Sequence, residues 1–374
     1  MQRLAPLLVG VMMTWLTAAH AHAQAPDYII QLNAAPLNSV AGQSPRAQAQ
    51  PASAPVAPVA KPLAAPGKQV ARLKIGLLLP TESKLLGEAA AVVRSGVEAA
   101  HDAEPQADVV VIDADEHNAA QRYREAVASG VNVVIGPLSR GGIAAVAPHV
   151  SVPTLALNAV GRDVPTNPRL FTLALNVEVE ARQIARLMRD DGRSNPLIIA
   201  DGEVLSSRLK QAFSDEWRSQ SGKDAPQIED NGQSLSALQQ AASQADAVFL
   251  AVEPAEAARL KPALPPDLPV YATSQISTRS PDKQLAGVRF IDMPWFLMPQ
   301  HPAVKRFARP ASTLTLQTER LYALGIDAYR LALLLGTTRN PASIKLDGVT
   351  GDLKLGRDRV FDRQLPVSLI GEGE

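Results

Sequence analysis

Short apolar runs that alternate with amphipathic stretches constrain this chain more than any other feature. Leu73–Leu79 (LKIGLLL), residues 108–112 (DVVVI), 131–135 (VNVVI) and 153–157 (PTLAL) are apolar nearly throughout and too short for ordinary helices. A strand that is apolar on both faces must be covered on both, as in a parallel sheet sandwiched between helices. The intervening segments supply the helices. Between the first two runs, Leu86, Ala89, Val93, Val97 and Ala100 fall on one helical face, while Arg94 and Glu98 sit four apart on the outer side. Further helices are expected at 118–128 and from about Gly141. Repeated βα units imply a doubly wound α/β sheet.

The same grammar restarts beyond Phe171. A helix at 177–189 leads to Pro196–Ala200 (PLIIA), a helix at 206–218, a strand at 245–252 (ADAVFLAV), a helix at 255–260 and a strand at 268–273 (LPVYAT). A long helix at 318–335, with Leu321, Leu324, Ala328, Leu331 and Leu335 along one face, is expected to cross back to the first set. The reading is two lobes, each a doubly wound parallel sheet flanked by helices. Residues 71–175 with 293–335 are assigned to the first lobe, and 176–292 with 336–372 to the second.

Residues 1–23 precede this pattern with a different one. Arg3, an apolar stretch over 4–19 and the small-x-small triplet Ala21-His22-Ala23 form a secretory signal with its cleavage site. The apolar core falls short of the ~20 residues that a spanning helix needs. Residues 24–70 are read as a disordered, Ala/Pro-rich tether, because 14 of the 26 residues at 43–68 are Ala or Pro and none is aromatic. Pro51, Pro55, Pro58, Pro62 and Pro66 favour an extended, semi-rigid spacer. Within it, residues 28–37 (YIIQLNAAPL) are more apolar than a spacer requires, and both a docking segment and a frayed strand remain open readings. The expected compartment is the periplasm, with the mature chain soluble.

Composition then removes whole classes of chemistry. There is no cysteine, hence no disulfide, thiolate metal site, Cys nucleophile or acylated Cys, and no direct lipid anchor is expected. Lys plus Arg and Asp plus Glu both number 37, so nothing electrostatic points to nucleic acid as a partner.

Several runs carry a family resemblance. Leu73–Leu79 with Pro80, followed by a Gly-containing helix and by 134–139 (VIGPLS), resembles the first lobe of type I periplasmic-binding proteins. Residues 249–259 (FLAVEPAEAAR), 268–274 (LPVYATS), 287–295 (GVRFIDMPW), 321–330 (LYALGIDAYR) and 348–351 (GVTG) resemble the carboxy-terminal domain of the penicillin-binding-protein activator (LppC) family. The resemblance covers about 71–369. It implies a two-lobed binding-protein fold, no enzymatic activity, and a regulatory contact with a bifunctional, class A penicillin-binding protein in peptidoglycan synthesis. The alternative is a solute-binding protein that closes on a small polar ligand, such as an amino acid or cell-wall fragment, in the interlobe cleft.

Candidate sites follow from position. The loop 136–142 (GPLSRGG) joins a strand to a helix, where backbone N–H groups can hold an anion, with Ser139, Arg140 and Gly141 as ligand- or partner-binding candidates beside Asn158. The competing reading is a plain βα turn. Ser139 is not a nucleophile of the G-x-S-x-G kind, since Pro137 stands where the first glycine belongs, and no catalytic residue is assigned. Asp113-Ala-Asp-Glu-His117 lacks a second cluster at metal-ligand spacing and is read as a solvated loop; neither metal nor cofactor is assigned. Asp292, Pro294 and Trp295 mark an interlobe crossover, with Trp295 stacking on a ligand or plugging the space between lobes. Asp327, within a largely apolar helix, is read as a cap or ion-pair partner. Deleting residues 43–68 is expected to leave the Tm of the folded part unchanged. A drop of several degrees in calorimetry would mean that this segment packs on the body.

Overall fold

The computed structural model describes residues 72–161, 163–229 and 235–371. The signal and tether readings fall outside these residues. The first part of the described chain runs β1 (Leu73–Leu79), α1 (Gly87–Ala103), β2 (Ala107–Asp113), α2 (Ala119–Ala128), β3 (Val133–Ile135), α3 (Arg140–Val146), β4 (Thr154–Ala156) and β5 (Leu170–Thr172). Its five strands form one parallel sheet in the order β2-β1-β3-β4-β5. The chain continues through α4 (Val177–Asp190), β6 (Pro196–Ala200), α5 (Val204–Ser221), β7 (Gln227–Glu229), α6 (Leu235–Ala242), β8 (Ala247–Ala251), α7 (Pro254–Leu260), β9 (Val270–Ala272) and β10 (Arg289–Ile291). After α8 (Pro294–Leu297), α9 (Pro302–Lys305) and α10 (Leu316–Thr337) come four short strands, β11 (Lys345–Asp347), β12 (Asp352–Leu355), β13 (Phe361–Gln364) and β14 (Val367–Leu369). The second sheet has the order β14-β10-β9-β8-β6-β7 and is parallel except for β14. This is the two-lobed, type I periplasmic-binding-protein fold. Strands β11, β12 and β13 form a third, antiparallel sheet of their own.

The expected apolar runs became strands because each could be covered on both faces. In β6 and β8 every residue is buried, and so are the last five residues of β1. Helix α1 buries Ala89, Val93, Val97 and Ala100 as its periodicity requires, and Arg94 bonds Glu98 at 2.7 Å on the wet side. Leu86 is the residue before its first turn. Helix α4 starts where Asn176 accepts a hydrogen bond from the Glu178 amide at 3.0 Å, which satisfies one of the free donors of the first turn. Among the described residues, no helix is long and apolar enough to cross a membrane.

Helix α10 carries the chain back from the second sheet to the first. It packs along α1 and against β1, β3 and β4, and residues on all its sides are buried, from Thr318 to Leu333 without a break. It begins at Thr315, whose Oγ1 accepts from the Thr318 amide at 3.1 Å. Two glycines set how near it lies to α1. A Cβ on Gly96 would overlap the carbonyl oxygen of Tyr322, and one on Gly325 would overlap that of Val93. Backbone thus meets backbone at this crossing. Any side chain there would force the helices apart.

The third sheet is fastened to α10 by Asp327. This carboxylate, with no solvent exposure, accepts from the amides of Val349 and Thr350 at 3.0 and 2.7 Å and from the Thr350 hydroxyl at 2.7 Å. Gly348 and Gly351 flank these two donors: a Cβ on Gly348 would crowd Asp327, and Gly351 has φ +141°. The residues 348–351 are therefore the docking turn for a buried carboxylate. One apolar cluster runs from Ile75 and Leu77 through Leu324, Trp295 and Val349 to Ile198 and Phe249, so the core is continuous between the two large sheets. Gly96→Ala should destabilise by about 3 kcal/mol, the upper part of the range for overpacking, because the obstruction is main chain. Urea unfolding would measure it, and a loss under half that value would contradict so close a helix contact.

Candidate functional site

In open α/β sheets, ligands meet the carboxyl ends of the strands. Beyond β3, Ser139 is buried and its Oγ accepts from the Gly142 amide at 3.0 Å, making it the cap of α3. Asn158, beyond β4, donates to the carbonyl of Leu138 at 3.2 Å and accepts from the Ala159 amide at 2.8 Å. Gly141 faces the carboxylate of Glu116, close enough that a Cβ would overlap it. The positive end of α3 thus already has an anion of the protein's own beside it. Arg140 is exposed. The structure brings Ser139, Gly141 and Asn158 together on one loop system, with the polar atoms of Ser139 and Asn158 bonded within it.

The carboxylates at 113–117 also serve local ends. Asp113 Oδ1 accepts from the Thr81 hydroxyl at 2.7 Å and the Glu82 amide at 3.0 Å, tying β2 to the turn after β1. Partial burial acts to raise its pKa, but these bonds prevail and hold the carboxyl below its ordinary value. Asp115 Oδ1 accepts from the amides of His117 and Asn118 at 2.9 and 3.0 Å, turning the chain into α2.

On the second sheet, a cavity of about 10 Å³ lies beyond β6 and β8, with Asp201, Glu203, Glu253, Ser206 and Gln275 among its lining residues. That is room for about one water. Burial, then the nearby charges of Asp201 and Glu203, push the Glu253 carboxyl above its ordinary value. An amino-acid carboxylate brought here would meet three acidic side chains.

The crossover residues lie deeper. Asp292, 1% exposed, pairs with Arg320, 3% exposed, through both carboxylate oxygens: Nη1 contacts Oδ1 and Nη2 donates to Oδ2 at 2.9 Å. Ser277 Oγ donates to the same Oδ2 at 2.7 Å. Pro294 opens α8, where a missing N–H costs nothing. Trp295 is fully buried; its Nε1 donates to Glu319 at 2.9 Å, and the Arg309 guanidinium lies 3.9 Å from the ring centroid. A second buried pair, Glu180 with Arg363 at 3.3 Å, stands close by, and the Ser274 amide donates to Glu180 at 3.2 Å. Sequence reading had no hold on Arg320, Glu319, Glu180 or Arg363. The one signal available was that Glu319 and Arg320 sit beside an apolar helical face, as Asp327 does.

Comparison with known proteins bears on what this body does. The profile of a family described as "LppC putative lipoprotein" matches residues 10–229 and 220–368. The penicillin-binding protein activator LpoA of Pectobacterium parmentieri is 28% identical over 319 residues, which cover 71% of this chain and 47% of the relative. The chain spans about half the length of the curated relatives it matches. A structure from Chromobacterium violaceum, described as that of "a putative branched-chain amino acid ABC transporter", is 61% identical, with TM-score 0.78, over 80% of this chain and 100% of that one. The LpoA C-domain of Haemophilus influenzae, described as a regulator of PBP1A, is 26% identical, with TM-score 0.68, over 80% of this chain and 98% of that domain.

The raised Glu253 pKa carries a pH signature. The folded state binds this proton more tightly than the unfolded chain, so stability falls as pH rises from the ordinary carboxylate value through the raised one. Glu253→Gln is expected to raise Tm at pH 7 and to leave it unchanged at pH 4. Equal Tm values for the two proteins at pH 7 would refute the assignment.

Proposed function

This chain belongs to the LppC family, and from that premise we propose that it is a non-enzymatic periplasmic regulator that activates a class A penicillin-binding protein in peptidoglycan synthesis. The observation that carries the proposal is the match over nearly the whole of the Haemophilus influenzae LpoA C-domain, a regulator of PBP1A. Activity of this kind needs a protein-binding surface on a stable body, and the match extends over 80% of this chain. The signal at residues 1–23 supports the periplasm as its place of work.

A solute receptor is the reading that the Chromobacterium violaceum description favours. Beside the space beyond β6 and β8, Asp201, Glu203 and Glu253 would oppose the carboxylate of an amino acid and suit its ammonium, so this space does not by itself favour the receptor. Ser139, Arg140, Gly141 and Asn158 follow β3 and β4 of the first sheet, and their part in binding is retained only in this second reading.

The test is reconstitution. The mature protein, added to a purified class A penicillin-binding protein with lipid-linked disaccharide-peptide substrate, is expected to raise the rate of glycan polymerisation or cross-linking and to be retained by the immobilised enzyme. An unchanged rate together with a thermal shift of several degrees on adding one amino acid would replace the regulator with the receptor.

A further inference from the structure

The polar groups buried between the two large sheets form a closed circuit. Starting on α10, Arg320 binds Asp292 beyond β10 and donates to the Ser274 carbonyl beyond β9 at 3.1 Å. The Ser274 amide donates to Glu180 Oε2 on α4, and Glu180 Oε1 accepts from Arg363 of β13. Arg363 Nη1 donates to the Thr350 carbonyl at 3.1 Å, and Thr350 donates back to Asp327 on α10. The circuit therefore begins and ends on the helix packed against the first sheet, having passed through the second sheet, α4 and the third sheet.

The crossings that follow β5 and β10 are pinned as well. At the end of β5, the Thr172 amide donates to the Arg359 carbonyl at 3.0 Å, and Gln183 of α4 exchanges hydrogen bonds with the main chain of Leu365 at 2.7 and 3.1 Å. After β10, the amide of Asp292 donates to the Pro366 carbonyl at 3.3 Å and that of Trp295 to the Val349 carbonyl at 3.0 Å. Two-lobed binding proteins close by turning such crossings through a hinge. Here a turn would separate two Arg–carboxylate pairs that are shut off from water, and an unpaired buried charge is among the costliest states a protein can adopt.

We infer that the two lobes are held at one fixed angle by this buried circuit, so that the protein presents a rigid composite surface and does not close as a clamp. The inference goes beyond the regulatory reading and does not depend on it. It concerns the mechanics of the body, whichever partner it meets.

The absence of cysteine permits a direct test on the mature chain. Arg124→Cys and Ser219→Cys place spin labels on exposed positions of α2 and α5, one on each lobe. Electron–electron distance measurements are expected to give one narrow distribution that stays put on adding millimolar free amino acids or a disaccharide-peptide. A shift of several ångströms, or a second population, with any of these probes would overturn the inference. Arg320→Gln and Arg363→Gln, each checked for native circular dichroism, are expected to broaden the distribution. A folded Arg320→Gln protein with the unaltered narrow distribution would equally overturn it, because the lobes would then be held by something other than the circuit. Failure of the regulatory reading would show in the reconstitution assay and leave these distances untouched.

Discussion

A charge can leave water only if a partner leaves with it, and helix α10 takes four charges into the interior. Glu319, Arg320, Asp327 and Arg330 are all buried on this single helix. Their partners come from widely separated parts of the chain. Glu319 receives Arg279 at 2.7 Å and Trp295, Arg320 holds Asp292, Asp327 takes the turn at 348–351, and Arg330 reaches the Asp347 carbonyl at 2.9 Å. With these pairings made, the crossover after β10 and the third sheet have no freedom to sit elsewhere. The buried charges act as register marks on a helix that apolar contacts alone would let slide or turn.

The same helix must also lie against α1 with main chain touching main chain, which Gly96 and Gly325 allow. Close approach near its middle and charge pairing along its length position the helix jointly. Apolar packing continues from one large sheet to the other through Trp295, so the junction between lobes is built as an interior and not as a loose linkage. Polar residues that elsewhere would be free to meet a ligand are occupied here: Ser139 caps a helix, Asn158 braces the loop beside it, and Asp113 ties two strand ends.

Much of this was legible in the chain itself. Strands such as β1, β6 and β8 announce themselves because a doubly covered strand must be apolar throughout, and α1 and α10 because one face repeats at helical spacing. The family resemblance is likewise a property of local motif. The short strands β5, β7 and β10 to β14 were not legible: most are three residues long, and five of them carry exposed residues, so a period has too few residues in which to stand out. Nor were the pairings of Asp292 with Arg320 and of Glu180 with Arg363, whose members lie 28 and 183 residues apart. Sequence by itself determined the alternation of elements, since that depends on each segment's own pattern of apolar residues. The tertiary structure alone decided which charges meet, because a pairing across such distances exists only after both sheets and the helix between them have been brought together.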